Sequence, residues 1–234
     1  MAAPDPQVPV IAIDGPSASG KGTVAVRVAS ALAFHYLDSG ALYRLATLAA
    51  IESGTDLDDE AALARVARGM DVRFVDDAVL LADRDVTEAL RTEEVSAATS
   101  RVAARPAVRT ALLERQRAFR RPPGLVAEGR DMGSIVFPDA ALKVFLTANL
   151  ATRAERRYKQ LMEKGMYAKM SDVVEELRRR DERDASRPVA PLKHYPDAIF
   201  LDTSGLAVDD AVGRVLGWWR ERQARPGRET EEGR

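Results

Sequence analysis

No cysteine occurs among the 234 residues, and histidine appears only at His35 and His194. The first absence excludes disulfides, thiolate metal sites and a thiol nucleophile. The second leaves too few imidazoles for a histidine-rich metal site, and His35 reads as the residue that ends a helix. Aromatic residues make up only 6% of the chain, and 35 basic side chains cancel against 36 acidic ones to a net charge of −1. Without a bulk positive field or aromatic platforms, nucleic acid is not an expected partner. No apolar run approaches the roughly 20 residues of a membrane span. No basic segment followed by an apolar one stands near the N-terminus either, so a soluble cytoplasmic protein without membrane contact is expected. The 46% hydrophobic content is enough for one α/β domain with an insertion or a small satellite.

What is present begins with the apolar run Val10-Ile11-Ala12-Ile13, which leads through Asp14 into Gly15-Pro16-Ser17-Ala18-Ser19-Gly20-Lys21-Gly22-Thr23. Gly15, four residues, then Gly20-Lys21 is the spacing at which a loop wraps phosphate with its backbone N–H groups and hands it to a helix N-terminus. Lys21 then reaches the outer phosphates, so this stretch is expected to grip a nucleoside triphosphate. The hydroxyl residue that usually follows the lysine and binds magnesium is delayed by Gly22 to Thr23. That form resembles the nucleoside monophosphate kinases more than the GTPases. The resemblance implies Thr23 on a phosphate and Mg2+ held mainly by phosphate oxygens and water, with no protein ligand assigned.

Strand and helix patterns alternate along most of the chain. Strands are predicted at 10–13, 36–37, 125–127, 142–146 and 198–201, and helices at 23–34, 41–53 and 208–222. Val24, Val28, Ala31 and Leu32 form the expected inner face of the first helix, and Val212, Val215, Leu216 and Trp219 that of the last. Such alternation implies a parallel sheet covered on both faces, with ligands along the edge where the strands end. Residues 55–104 break the rhythm with a helix at 60–69, a hairpin of 72–75 and 79–81 turning at Asp76-Asp77, and a helix at 92–103. They are predicted to be a small α/β insertion. Over 153–180, two helices bent at Lys164-Gly165 are predicted to form a lid, because phosphoryl transfer must exclude water. The expected division is a core at 10–54, 105–152 and 181–224, the insertion at 55–104, the lid and flanking helices at 153–180, a frayed leader at 1–9 and a disordered tail at 225–234.

A phosphate loop alone does not separate an ATPase, a GTPase and a kinase. The separating features are Asp38-Ser39-Gly40-Ala41-Leu42-Tyr43-Arg44 after the second strand, GRDMGSIVFPDA from Gly129 to Ala140, and RDERDASRPVAPL from Arg180 to Leu192. Together with the phosphate loop these closely resemble the bacterial cytidylate kinase family over nearly the whole chain. The last two motifs are specific to that family, whereas the first is shared across phosphate-loop kinases. The resemblance implies an α/β fold: a P-loop NTPase core with a five-stranded parallel sheet, a monophosphate-binding insertion and a helical lid. It also implies transfer of the γ-phosphoryl of ATP, with Mg2+, to CMP or dCMP by a monomer. ATP then lies on Gly15 to Thr23. Arg44, Arg130 and Arg187 clamp the acceptor phosphate, and Arg153 and Arg157 close over the donor from the lid. Arg130, Arg157 and Arg187 join Lys21 as catalytic residues. Ser100, Arg109 and Asp131 read cytosine, Arg180 and Asp184 meet the sugar, and Ser39 and Tyr43 complete the CMP site, with Ser39 equally readable as a turn or helix cap.

Such residues suit the chemistry. Charge in a loose phosphoryl-transfer transition state spreads over three oxygens, and a planar guanidinium grips phosphate through two parallel hydrogen bonds. A carboxylate at Asp131 opposite the N4 amine of cytosine would face an acceptor in uracil and go unpaired, which costs about 1–3 kcal/mol. The chain departs from the family at Glu128, where some relatives carry aspartate, and at the variable pair Ala185-Ser186. Asp56 to Glu60 and Glu175-Glu176 read as helix-start and solvated-face charges, and Trp218-Trp219 as core packing. Two alternatives stay open: a phosphate-loop kinase for another monophosphate or a metabolite alcohol, and a regulatory module that binds ATP without an acceptor.

Overall fold

A computed structural model describes residues 8–75, 78–187 and 189–224. The tail at 225–234, the leader through Gln7 and the hairpin turn at Asp76-Asp77 lie outside the described residues. The last two residues of the expected leader are not frayed. Val8 is buried with its carbonyl accepting from Arg120, and the Pro9 carbonyl takes the N–H of Leu125.

In chain order the core opens with β1 (Val10–Asp14), α1 (Lys21–Leu32), β2 (His35–Asp38) and α2 (Ser39–Glu52). The insertion follows: α3 (Glu60–Gly69), β3 (Val72–Val75), β4 (Ala78–Leu81), β5 (Arg84–Asp85), a 3-10 turn at Ala89–Arg91 and α4 (Glu93–Val102). Then come α5 (Pro106–Arg117), β6 (Leu125–Gly129), a π-helical turn at Met132–Val136 and β7 (Leu142–Thr147). The chain continues through α6 (Leu150–Glu163), α7 (Met170–Ala185), β8 (Ile199–Asp202) and α8 (Val208–Gln223).

Five strands form one parallel sheet in the order β2-β6-β1-β7-β8, and β3-β4-β5 make a small antiparallel sheet. The central strands are apolar at nearly every position because both sheet faces are covered. Val10 and Ala12 point toward α2, whereas Ile11 and Ile13 point toward α1 and α8, as the period of two requires. Register matters most for function. Asp14 pairs with Gly129 and Asp38 with Glu128, so the carboxyl ends of β1, β2 and β6 lie level along one edge.

Several expectations need correction. The buried face of α1 is Val24, Ala25, Val28 and Ala29; Ala31 is exposed. In α8 it is Ala211, Val212, Val215 and Trp219, with Leu216 only partly buried. Trp219 meets Phe34 edge-on at 5.7 Å, as core packing predicts. His35 starts β2 instead of ending a helix, because the left-handed Ala33 has already closed α1. Strand β5, helix α5 and the 3-10 and π-helical turns were not anticipated; α5 lies against α3, and Arg115 donates to the carbonyl of Met70 at 2.8 Å. Helices α6 and α7, where a lid was expected, share a small core of Ala154, Leu161, Val173 and Leu177.

Candidate active site

The phosphate loop joins β1 to α1. A Cβ on Gly15 would overlap the carbonyl oxygen of Leu146, so the loop passes β7 at a distance only glycine permits. Gly20, at φ 93°, adopts the left-handed conformation that starts α1. Cations engage the loop's carbonyls from outside. Arg156 and Thr203 both donate to the Ser19 carbonyl, at 2.8 and 3.0 Å, and Arg153 donates to that of Ser17 at 3.3 Å. The Ser19 hydroxyl turns back onto Pro16 at 3.0 Å.

Lys21 rests at the head of α1 with Nζ 3.3 Å from the Pro16 carbonyl and 3.6 Å from Glu128 Oε2. Burial, and then the neighbouring Arg130, lower its pKa to about 8. Gly22 is explained by Glu128: a Cβ there would come within 2.8 Å of Glu128 Oε1. The residue that displaces the usual hydroxyl makes room for a carboxylate beside the lysine.

A cavity of about 240 Å³ opens beyond the loop. It gathers Ser17, Ala18 and Lys21 from the donor side with Ser39, Tyr43, Arg44, Ser100, Arg109, Arg130, Asp131, Arg180, Asp184 and Arg187 from the acceptor side, and Arg157 from α6. Gly15, Pro16, Ser19, Gly20, Gly22 and Thr23 do not line this cavity, and Thr23 is exposed. Seven cationic side chains and five carboxylates line the cavity, an imbalance that favours an anionic occupant.

Buried ion pairs hold these cations in place. Arg130 donates to Asp184 Oδ2 at 2.7 Å and to Ser17 Oγ at 3.0 Å, tying α7 to the phosphate loop. Arg187 takes the other oxygen of Asp184. Burial would raise the Asp184 pKa, but Arg130 and Arg187 hold it below the usual carboxylate range. Arg109 bonds Asp131 and the Ala103 carbonyl, with its guanidinium 5.5 Å from the centre of the Tyr43 ring. Arg44 donates to Asp38 at 2.6 Å, and Asp38 also caps α2 through the Ala41 N–H. Arg180 is brought down to about 10 by burial and by Arg130 beside it, an electrostatic cost that a bound anion would offset. Ser100 Oγ and Arg187 Nε are buried without a hydrogen-bond partner among the described residues. Folded proteins leave few buried polar groups without a protein, water or ligand partner.

Two arginines expected to close over the donor are placed differently. Arg153 does not line the cavity: it is buried and donates to both oxygens of Asp181, at 3.0 and 2.6 Å, and to Ala148. It fastens α6 to α7 and to the loop. Arg157 lines the cavity, but its guanidinium reaches Glu93 of the insertion at 2.8 Å. Glu176, expected on a solvated face, lines the cavity as well, and burial followed by Glu93 raises its pKa.

The family model described as cytidylate kinase matches residues 11–221. The chain belongs to the cytidylate kinase family. It is 58% identical over 217 residues to the cytidylate kinase of Chromobacterium violaceum, covering 93% of this chain and 98% of that protein. The cytidylate kinases of Bordetella bronchiseptica and Nitrosomonas europaea are 57% and 53% identical, with 91% and 92% of this chain covered and 95% and 96% of theirs.

Sequence reasoning missed several side chains of this cytidylate kinase site. Asp14, Asp38 and Glu128 were noticed in their motifs without being given a role, and Tyr36, Glu93 and Arg156 were not singled out as site residues. Asp14 and Asp38 carried a usable signal, since each is the polar residue closing an apolar strand at the sheet's ligand edge. Asp14 accepts the N–H groups of Met132 and Gly133, both at 2.8 Å, and so anchors the π-helical turn that follows Asp131. Burial pushes its pKa up to about 7, from 3.8 ordinarily. The unfolded chain releases this proton first, so the stability contributed by neutral Asp14 is present below 3.8 and is lost as pH rises through about 7. Asp14→Asn, which cannot titrate, should show a shallower fall in melting temperature over that window. An unchanged slope would remove Asp14 from the pH dependence.

Proposed function

We propose that this chain transfers the γ-phosphoryl group of ATP to CMP and dCMP, acting as a cytoplasmic monomer. The observation that carries the reading is the cation-rich cavity joined to a phosphate loop, with Ser100 Oγ and Arg187 Nε buried in its wall and without a partner among the described residues. An oxygen of the acceptor phosphate attacks the γ-phosphorus while the bond to the β–γ bridging oxygen breaks, so CDP or dCDP forms and ADP leaves. No general base is needed, because the attacking group is already an anion. The phosphate loop and Lys21 hold the donor. Arg44, Arg130 and Arg187 clamp the acceptor phosphate, Ser100, Arg109 and Asp131 read the base above Tyr43 and Ser39, and Arg180 and Asp184 meet the sugar. Residues 55–104 serve as the monophosphate-binding insertion and 153–180 as the lid, where Arg157 leaves Glu93 for the donor.

Among the described residues no group of three or more His, Cys, Asp or Glu side chains is arranged to hold a metal ion. The cation-rich lining suits the ATP phosphates, and a Mg2+ would be held there by phosphate oxygens and water, without a ligand set from these side chains. When bound, it neutralises charge on the β- and γ-phosphates. The deciding experiment follows ADP formation with Mg2+, ATP and, separately, CMP, dCMP, UMP, AMP and GMP. Turnover with CMP and dCMP exceeding UMP by about tenfold or more is the expected result, matching one unpaired buried group. Preferred turnover of another monophosphate would overturn the base assignment, and ADP formation that no acceptor accelerates would overturn the kinase reading.

A further inference from the structure

We propose that Tyr36 is a positioning residue of the donor site: through Glu128 its hydroxyl sets where the Lys21 ammonium rests and keeps it charged. The proposal rests on Lys21 being the residue that meets the ATP phosphates. Glu128 pairs with Asp38 across β6 and β2, which makes Tyr36 its diagonal neighbour, within reach of long side chains. The Tyr36 hydroxyl donates to Glu128 Oε1 at 2.9 Å, while Oε2 faces Lys21 Nζ at 3.6 Å. A carboxylate held at one oxygen presents the other at a set place; released, it turns freely about its terminal bond. Glutamate instead of aspartate supplies the methylene that lets one carboxylate touch both partners, and Gly22 leaves Oε1 its space.

Four charged groups face Lys21: Glu128 from β6, Arg130 just after it, Asp38 at the head of α2 and Arg180 from α7. Burial and the two arginines favour the neutral amine, and the two carboxylates oppose them. Burial and the neighbouring Asp38 favour neutral Glu128, which Lys21, the Tyr36 hydrogen bond and Arg130 counter. Without the hydroxyl, Glu128 holds its proton more readily, the countercharge at Lys21 weakens, and the lysine deprotonates at lower pH.

The test titrates Lys21 in the nucleotide-free protein by NMR of labelled lysine side chains, alongside the pH profile of kcat/KM for ATP. Tyr36→Phe should move the Lys21 midpoint and the alkaline limb of the profile down by about half a pH unit, a roughly twofold loss at pH 8 that vanishes near pH 6.5. Glu128→Gln should move both further, and adding Tyr36→Phe to it should change nothing more. A folded Tyr36→Phe protein with an unmoved Lys21 midpoint overturns the proposal, as does an equal shift in the Glu128→Gln background. Lys21→Ala separates the two readings. Full activity in that variant would overturn the donor role of Lys21, whereas an inactive variant beside an unmoved midpoint in Tyr36→Phe would overturn only the role of Tyr36.

Discussion

Lys21→Ala is expected to lower kcat for CMP by about 10²- to 10³-fold, the loss seen when one preorganised group stabilising transition-state charge is removed. The same substitution should barely affect the fold. Lys21 is a buried cation whose pKa has fallen to about 8, so the folded protein favours its charged form less than the unfolded chain does. Its polar neighbours keep other partners: Glu128 retains the Tyr36 hydroxyl, and Pro16 still accepts from Ser19. A melting temperature within about 3 °C of the parent is therefore expected. Steady-state kinetics and thermal melts on one preparation check both halves. Near-normal turnover would remove Lys21 from the chemistry, and collapse of the fold would make it structural.

Asp131→Asn should combine a large change in specificity with a large loss of stability. The Arg109–Asp131 pair is nearly inaccessible, at 8% and 4% side-chain exposure. Neutralising one member leaves a buried guanidinium without its countercharge, which costs about 3–5 kcal/mol when a buried pair is broken. In the site, an amide replaces an acceptor-only carboxylate, so its N–H donors would confront the N4 amine of cytosine but suit O4 of uracil. The ratio of kcat/KM for CMP over UMP should fall by about tenfold to a hundredfold, equivalent to one unsatisfied buried group. Denaturant melts and kinetics with both nucleotides test it. Equal losses for CMP and UMP would mean that Asp131 serves to pin Arg109 over Tyr43 and does not read the base.

How much was legible depended on how local the cause was. The phosphate loop, the five strands and the insertion's hairpin strands announce themselves through glycine spacing and apolar runs, which act within a few residues. Helix α5 was missed because its buried side includes Arg109 and Gln116, two polar residues that interrupt the apolar stripe. The π-helical turn at Met132–Val136 has no periodic signature, since Asp14 anchors it from more than a hundred residues away. Ala31 was assigned to the inner face of α1 because alanine is equally at ease on either side of a helix.

The sequence by itself determined that a parallel α/β core presents a phosphate loop and arginine-bearing segments along one edge. Backbone propensity, glycine geometry and burial of apolar runs are properties of short stretches. Only the tertiary structure decided what each charged side chain does: Arg153 turned from the cavity to Asp181, Arg157 reached Glu93, and Glu128 came between Tyr36 and Lys21. A buried guanidinium or carboxylate settles on whichever desolvated partner the fold brings within hydrogen-bonding reach, and those partners lie tens of residues away along the chain.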